Sequence, residues 1–116
     1  MMTLNDYQDA ARKTAIEGSI EHYAFGLVEE AGEIAGTLKR LWRSDKGYAE
    51  PTSSPIPMPS PLVYENLKKE LGDVLWYVAM LADIIEVRLE DVASTNLSKL
   101  KDRQSRGVLT GSGDNR

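Results

Sequence analysis

Five carboxylates stand in two apolar stretches of the chain, and they are the residues whose types and spacing suggest chemistry. They are Glu29, Glu30 and Glu33 in YAFGLVEEAGEIAGTL and Glu70 and Asp73 in ELGDVLWYVAMLA. Neither stretch contains a Lys, Arg or His residue to pair with these charges. An unpaired carboxylate on an apolar helix face is costly to desolvate. These groups therefore either point into water or bind a cation, and the second alternative predicts a metal site.

The spacing of the five residues favours one shared site. Residues three or four apart lie on the same face of a helix. Glu29 and Glu30 lie four and three residues before Glu33. Glu70 lies three residues before Asp73, so two carboxylates from each helix meet if the helices pack antiparallel. The predicted ligands share hard oxygen donors: Glu30, Glu33, Glu70 and Asp73. Such donors suit Mg²⁺, with Mn²⁺ as a substitute, and leave positions open for water and phosphate.

Other readings of the acidic residues are weaker. Zinc sites use Cys or His ligands, and neither residue type is near these carboxylates. A ferritin-type di-iron centre needs Glu-x-x-His pairs, and His22 has no Glu three positions before it. The remaining alternative is a solvated helix face, which is the expected environment of Glu29 taken alone.

Length and composition place the chain in the class of small globular proteins. Its 116 residues predict one domain, spanning 1–116. There is no apolar run long enough for a membrane span and no signal-peptide pattern at the N-terminus. The absence of cysteine excludes disulfides and fits a cytoplasmic location. A net charge of −4 argues against a stable nucleic acid partner.

Helical spacing dominates the sequence and predicts an all-α fold. Helices are expected at about 4–17, 20–42 and 62–87, with a fourth from about residue 90. Thr3 is the expected N-cap of the first helix, and Ser60 followed by Pro61 is a favourable start for the third. The second helix is predicted to bury one apolar stripe: Phe25, Val28, Ala31, Gly32, Ala35, Leu38 and Trp42.

Two segments do not follow the helical pattern. Residues 44–61 contain all five prolines and are predicted to form a long loop, either a lid or an insertion without function. Residues 107–116 form a Gly-rich tail that is expected to be flexible or ordered only by a partner. Three apolar helices expose more hydrophobic surface than one small bundle covers. The expected assembly is therefore a homodimer or homotetramer that completes a four-helix bundle.

The paired motifs resemble a known family. Glu29-Glu30-x-x-Glu33 followed by Glu70-x-x-Asp73 is similar to the signature of MazG-like nucleoside triphosphate pyrophosphohydrolases. The resemblance extends through GLVEEAGEIAG, KELGDVLWYVAMLA and LEDVASTNLSKLKDR. It implies an all-α, house-cleaning enzyme that hydrolyses NTPs or dNTPs to the monophosphate and pyrophosphate. One departure is the 44–61 insertion, which lengthens the gap between the two motifs.

The resemblance also implies roles for individual residues. Glu30, Glu33, Glu70 and Asp73 would hold Mg²⁺, and Glu29 would bind a further metal or orient the attacking water. Glu29 and Glu30 are thus the predicted catalytic residues.

The predicted substrate-binding residues lie farther along the chain. On the fourth helix, Lys99 and Arg103 would bind the phosphates, and Asn96 would form a hydrogen bond with the sugar or base. The alternative is that these side chains form an ordinary solvated helix face. Trp76 would stack on a base, although an aromatic residue in an apolar helix is more often part of the core. The alternative function is a catalytically silent helical oligomer that binds nucleotide or metal for regulation. The sequence does not specify the preferred base or sugar.

Overall fold

The chain folds into four helices. The computed structural model describes residues 1–16, 18–44 and 60–116. Its helices in chain order are α1 (Leu4–Arg12), α2 (Ile20–Ser44), α3 (Pro61–Ile84) and α4 (Leu89–Ser105). These ranges contain no strand, which confirms the predicted all-α class. Most of the predicted 44–61 loop lies outside the described residues, and none of the described helices is long and apolar enough to cross a membrane.

Local signals set the limits of α1. Its N-terminus has a capping box, in which the Asp6 N–H donates to Thr3 Oγ1 and the Thr3 N–H donates to Asp6 Oδ2, both at 3.0 Å. The helix ends at Arg12, earlier than the predicted residue 17. Thr14 explains part of this difference, because its hydroxyl donates to the Ala11 carbonyl at 2.7 Å just past the helix end. Thr14 is thereby placed beside α3.

Helices α2 and α3 pack against each other in antiparallel orientation. Thr37, late in α2, hydrogen-bonds Glu70, early in α3. Gly26, early in α2, lies against the ring of Tyr77, later in α3. Because the order of contacts is reversed along the two helices, the two acidic motifs face each other, as the spacing required.

The predicted inner stripe of α2 is on the outside of the chain. Phe25 and Val28 are 74% and 71% exposed, and Leu38 is 39% exposed. The covered face is instead formed by Tyr23, Leu27, Glu30, Ile34 and Thr37. Adjacent helical positions diverge by about 100°, so contact through this face turns the apolar stripe away from α3. We call the exposed residues Phe25, Val28, Ala31, Gly32, Ala35 and Leu38 the outer face of α2; the side chain of Trp42 lies outside the described part.

The core lies where α1 meets the end of α3 and the start of α4. Its buried apolar residues are Ala11, Tyr23, Ala79, Met80, Ala82 and Leu89. Gln8 is also fully buried. Its Nε2 donates to the Val87 carbonyl at 3.0 Å, and its Oε1 accepts from the Leu89 N–H at 2.8 Å. One side chain therefore fixes α1 to the turn between α3 and α4.

The Gly-rich tail, expected to be flexible or ordered only by a partner, folds back onto α4. Arg116 donates to the carbonyls of Val108, Leu109 and Gly113. Arg106 in turn donates to the Arg116 carbonyl oxygen at 2.7 Å. Gly113 has φ +87°, a conformation that favours glycine. The guanidinium of Arg116 thus holds the tail folded through hydrogen bonds to tail carbonyls. Apolar periodicity in the sequence does not indicate such hydrogen bonds.

Candidate metal and nucleotide site

Glu30 and Asp73 line one pocket from opposite helices. The pocket has a volume of about 360 Å³ and is lined by Thr14, Glu30, Asp73, Trp76 and Tyr77. Antiparallel packing of α2 and α3 brings the two carboxylates to it, and the segment just after the C-terminal end of α1 supplies Thr14. The volume lies within the range of about 300–1,000 Å³ that is common for small-molecule sites.

The charges of the other four motif carboxylates act on Glu30. The pKa of Glu30 is raised, first by burial and then by the negative charges of Glu33, Asp73, Glu29 and Glu70. In the described part of the chain, none of the five takes part in an ion pair. The site is therefore a region of uncompensated negative charge, which a cation would relieve.

One side-chain oxygen of Glu70 accepts a hydrogen bond, and the other has no hydrogen-bond partner in the described part of the chain. The Thr37 hydroxyl donates to Glu70 Oε1 at 2.9 Å. The other oxygen, Oε2, is buried and has no hydrogen-bond partner. An unsatisfied buried oxygen is costly in a folded protein. A free lone pair on a carboxylate oxygen is the kind of donor that a hard divalent cation prefers.

The carboxylates do not form a closed cage as they stand. Within residues 1–16, 18–44 and 60–116, no three acidic or histidine side chains are close enough together to hold a metal ion. The donor set and the unpaired Glu70 oxygen nevertheless fit Mg²⁺ or Mn²⁺. The ligand assignment stays a prediction.

An aromatic cluster forms the wall next to the acidic residues. The Trp76 Nε1–H donates to Thr14 Oγ1 at 2.7 Å. The rings of Trp76 and Tyr77 meet edge to face with centroids 5.0 Å apart, and Trp76 meets Tyr23 in the same way at 6.0 Å. Trp76 is half-buried, belongs to the packing around the core and also lines the pocket. The position of Trp76 agrees with the core alternative, and stacking on a base stays a prediction.

The predicted substrate-binding residues of α4 do not line the acidic pocket. Asn96 and Lys99 line a separate pocket of about 400 Å³ that also includes Val87. Lys99 Nζ lies 3.1 Å from Asp114 Oδ1. The guanidinium of Arg103 is buried, and its Nη2 donates to the Asp114 carbonyl at 2.8 Å. Within the described residues, the side chains of Lys99 and Arg103 donate hydrogen bonds to the tail and not to the five carboxylates of the two acidic motifs.

Sequence reasoning missed four residues at these sites. Thr14 and Thr37 contribute hydroxyls to Trp76 and Glu70, and Asp114 occupies the cations of α4. The fourth is Tyr7 of α1, whose pKa is raised by burial and then by the charge of Asp73. Thr37 carried a usable signal, since a polar residue four positions after Glu33 lies on the same helix face. Thr14 and Asp114 carried none, because their partners are distant in sequence.

Comparison with known proteins agrees with this architecture. The MazG nucleotide pyrophosphohydrolase domain matches residues 19–108, which include all five carboxylates. Gene 37 protein of Mycobacterium phage L5 is 41% identical over 125 aligned positions, which cover 99% of this chain and 100% of that protein. The crystal structure of iMazG from Vibrio DAT 722 is similar with a TM-score of 0.58 and 27% identity, and the match covers 90% of this chain and 97% of that one. The chain therefore belongs to the MazG nucleotide pyrophosphohydrolase domain family.

Proposed function

We propose that the protein is a Mg²⁺-dependent nucleoside triphosphate pyrophosphohydrolase, which converts an NTP or dNTP and water to the monophosphate and diphosphate. The observation that supports this most is that Glu30 of α2 and Asp73 of α3, one carboxylate from each acidic motif, line the same pocket. Membership of the MazG family supports the same reaction class.

The carboxylates have distinct roles in this proposal. Glu30, Glu33, Glu70 and Asp73 hold the cation, with Mn²⁺ as a substitute for Mg²⁺. When bound, such a cation lowers the pKa of a bound water and neutralises charge on phosphoryl oxygens. Glu29, with Glu30, accepts the proton of the attacking water or orients it. The water oxygen bonds to the α-phosphorus while the bond from that phosphorus to the bridging oxygen breaks, and diphosphate leaves.

Aromatic and basic residues bind the nucleotide. Trp76 forms a stacking surface beside Glu30 and Asp73 at the edge of the acidic pocket. Lys99 and Arg103 bind phosphate oxygens, which requires that they exchange the Asp114 carboxylate for the substrate. Asn96 bonds the sugar or base from the neighbouring pocket. A nucleotide substrate agrees with the cytoplasmic location expected from the sequence.

We also infer that the protein is a homodimer or homotetramer. The outer face of α2 is apolar and exposed in the single chain, with Phe25 and Val28 about three-quarters accessible. Contiguous apolar surface of this kind marks a protein–protein contact. A second copy that covers this face completes the bundle. Light scattering measures the assembly, and a monomer at all concentrations would contradict this inference.

A panel of NTPs and dNTPs tests the reaction. Each is incubated with Mg²⁺ or with EDTA, and nucleoside monophosphate and diphosphate are quantified by chromatography. We expect Mg²⁺-dependent release of both products from at least one substrate. Glu33→Gln and Asp73→Asn should lower turnover at least 100-fold, in the range of lost metal-ion catalysis, while helicity by circular dichroism is retained.

Glu65→Gln is the matched control, since Glu65 is an exposed acid on α3 outside the motif. It should turn over like the unmodified protein. Nucleotide- and Mg²⁺-induced stabilisation without any product would identify a silent binding protein instead. Full turnover by Asp73→Asn would show that the assigned carboxylates are wrong.

A further inference from the structure

Thr37 makes an unusual contact for a threonine inside a helix. Such a hydroxyl commonly donates to a carbonyl three or four residues earlier in its own helix. The Thr37 hydroxyl instead crosses from α2 to α3 and donates to Glu70 Oε1 at 2.9 Å. A hydroxyl has one proton, so this bond uses its whole donor capacity.

A cation orients the same hydroxyl. Arg40 lies three residues later on α2, and its Nη2 donates to Thr37 Oγ1 at 3.3 Å. This bond occupies a lone pair of the hydroxyl and leaves its proton directed to Glu70. A hydrogen bond to a carboxylate is stronger when its donor is itself polarised by a neighbouring charge. The order Arg40, Thr37, Glu70 is therefore a directed chain.

The two oxygens of Glu70 are consequently unequal. Oε1 is held by Thr37, whereas Oε2 is buried without a partner. A half-satisfied buried carboxylate is unfavourable by itself. The same arrangement is expected of a metal ligand, because residues behind a ligand orient it and leave its remaining lone pairs for the ion.

We propose that Thr37 is a positioning residue that holds Glu70 by Oε1, so that Oε2 is the oxygen offered to the divalent cation. This inference rests on the metal site of the proposed function. Thr37 does not itself touch the cation or the nucleotide in this proposal, and its effect passes through the orientation of the Glu70 carboxylate.

Metal binding tests the proposal without reference to turnover. Mn²⁺ is titrated into metal-free protein, and free Mn²⁺ is measured by electron paramagnetic resonance. Thr37→Val keeps the shape of the side chain and removes the hydroxyl, so we expect its Mn²⁺ Kd to rise about 10- to 100-fold, as for other residues that orient metal ligands. Thr37→Ser keeps the hydroxyl, and its Kd should stay within about three-fold of that of the unmodified protein.

Controls separate positioning from general structure. Thr95→Val makes the same chemical change at an exposed position of α4 and should leave the Kd unchanged. Circular dichroism in EDTA verifies folding, and Thr37→Ala replaces Thr37→Val if the valine variant does not fold. A Thr37→Val Kd equal to that of the unmodified protein would overturn the proposal, as would a Thr37→Ser variant as weak as Thr37→Val. If the unmodified protein binds no Mn²⁺, the metal site itself is refuted and the Thr37 proposal with it.

Discussion

Asp114 in the tail forms an ion pair with Lys99 of α4, with 3.1 Å between Oδ1 and Nζ. The same Oδ1 lies 3.4 Å from Arg103 Nη2. The Asp114 carboxylate thus pairs with both of the side chains that are proposed to bind the phosphates of the substrate. If both functions are correct, the tail and the substrate compete for one pair of charges.

The first prediction concerns this competition. Asp114→Asn should lower KM for the nucleotide about two- to five-fold, since exposed ion pairs are weak and little is gained by removing one. Steady-state kinetics at fixed ionic strength measures the change. Asp102→Asn is the control: it removes the same charge from a residue of α4 whose side chain pairs with Arg106 and not with Lys99 or Arg103. It should leave KM unchanged. Equal KM values for Asp114→Asn and the unmodified protein would mean that Lys99 and Arg103 do not bind the phosphates.

The tail contact also depends on pH in a known direction. The hydrogen bond and charge of Lys99, followed by those of Arg103, hold the pKa of Asp114 below its ordinary value. A lowered pKa means that the charged form is favoured in the folded protein, so its contribution is present above the ordinary Asp value and is lost as the pH falls through the folded pKa. The ¹³Cγ chemical shift of Asp114, followed by NMR as the pH is lowered, should therefore titrate at a lower pH than that of an ordinary Asp. A midpoint at the ordinary Asp value would contradict the contact of Asp114 with Lys99 and Arg103.

The second prediction concerns repulsion among the carboxylates. The pKa of Glu30 is raised, so the folded protein favours its neutral form. Its contribution to stability is fully present below the ordinary Glu value and is lost as the pH rises through the folded pKa. At pH 7 in EDTA, Glu30→Gln should therefore raise Tm, by about 1–4 °C for a weak, partly exposed interaction.

The same variant should lose stabilisation by metal. Addition of Mg²⁺ should raise the Tm of the unmodified protein and have little effect on Glu30→Gln, because a ligand has been removed. Differential scanning calorimetry with and without EDTA gives both values, with Glu65→Gln as the control. A lower Tm for Glu30→Gln in EDTA would show that Glu30 stabilises the metal-free fold, contrary to the electrostatic argument.

The third prediction tests the contact between the two motif helices. A methyl group at Gly26 would overlap the ring of Tyr77, so Gly26→Ala must displace this wall of the acidic pocket. Overpacking of this kind costs about 1–3 kcal/mol. Gly72→Ala is the matched control, because no atom lies within 4 Å of the added methyl group. It should raise the free energy of unfolding by about 0.5–1 kcal/mol through helix propensity.

Urea unfolding monitored by circular dichroism measures both glycine variants. The opposite signs are the informative result, since both substitutions are the same change inside a helix. If Gly26→Ala is as stable as Gly72→Ala, Tyr77 is not packed against α2 in the way described.

The fourth prediction concerns the outer face of α2. Val28→Glu places a charge within this exposed apolar stripe and should convert the assembly to monomers, because burial of an unpaired charge is strongly unfavourable. Lys39→Glu alters an exposed position of the same helix outside the stripe and should leave the oligomer intact. Multi-angle light scattering gives the mass of each. An unchanged mass for Val28→Glu would exclude this face as the contact between copies.

The sequence by itself determined the helical class and the spacing that places the carboxylates of each motif on one helix face. Helical periodicity, the cap at Thr3 and the start at Pro61 are local signals, and the predicted starts of all four helices lie within one residue of the observed ones. The spacing of Glu30 and Glu33 and of Glu70 and Asp73 likewise depends only on helix geometry. For this reason these parts of the prediction did not require knowledge of long-range contacts.

Only the tertiary structure decided which face of each helix is covered. The apolar stripe containing Phe25 and Val28 was predicted to be buried and is exposed, because periodicity identifies an apolar face but not the surface that covers it. The hydrogen-bond partners of Thr37 and Trp76 lie 33 and 62 residues away in the sequence. The Gly-rich composition of the tail gave no indication of the contacts that the tail makes. Hydrogen bonds of this kind depend on how helices are docked, and docking results from the sum of many weak contacts along the whole chain.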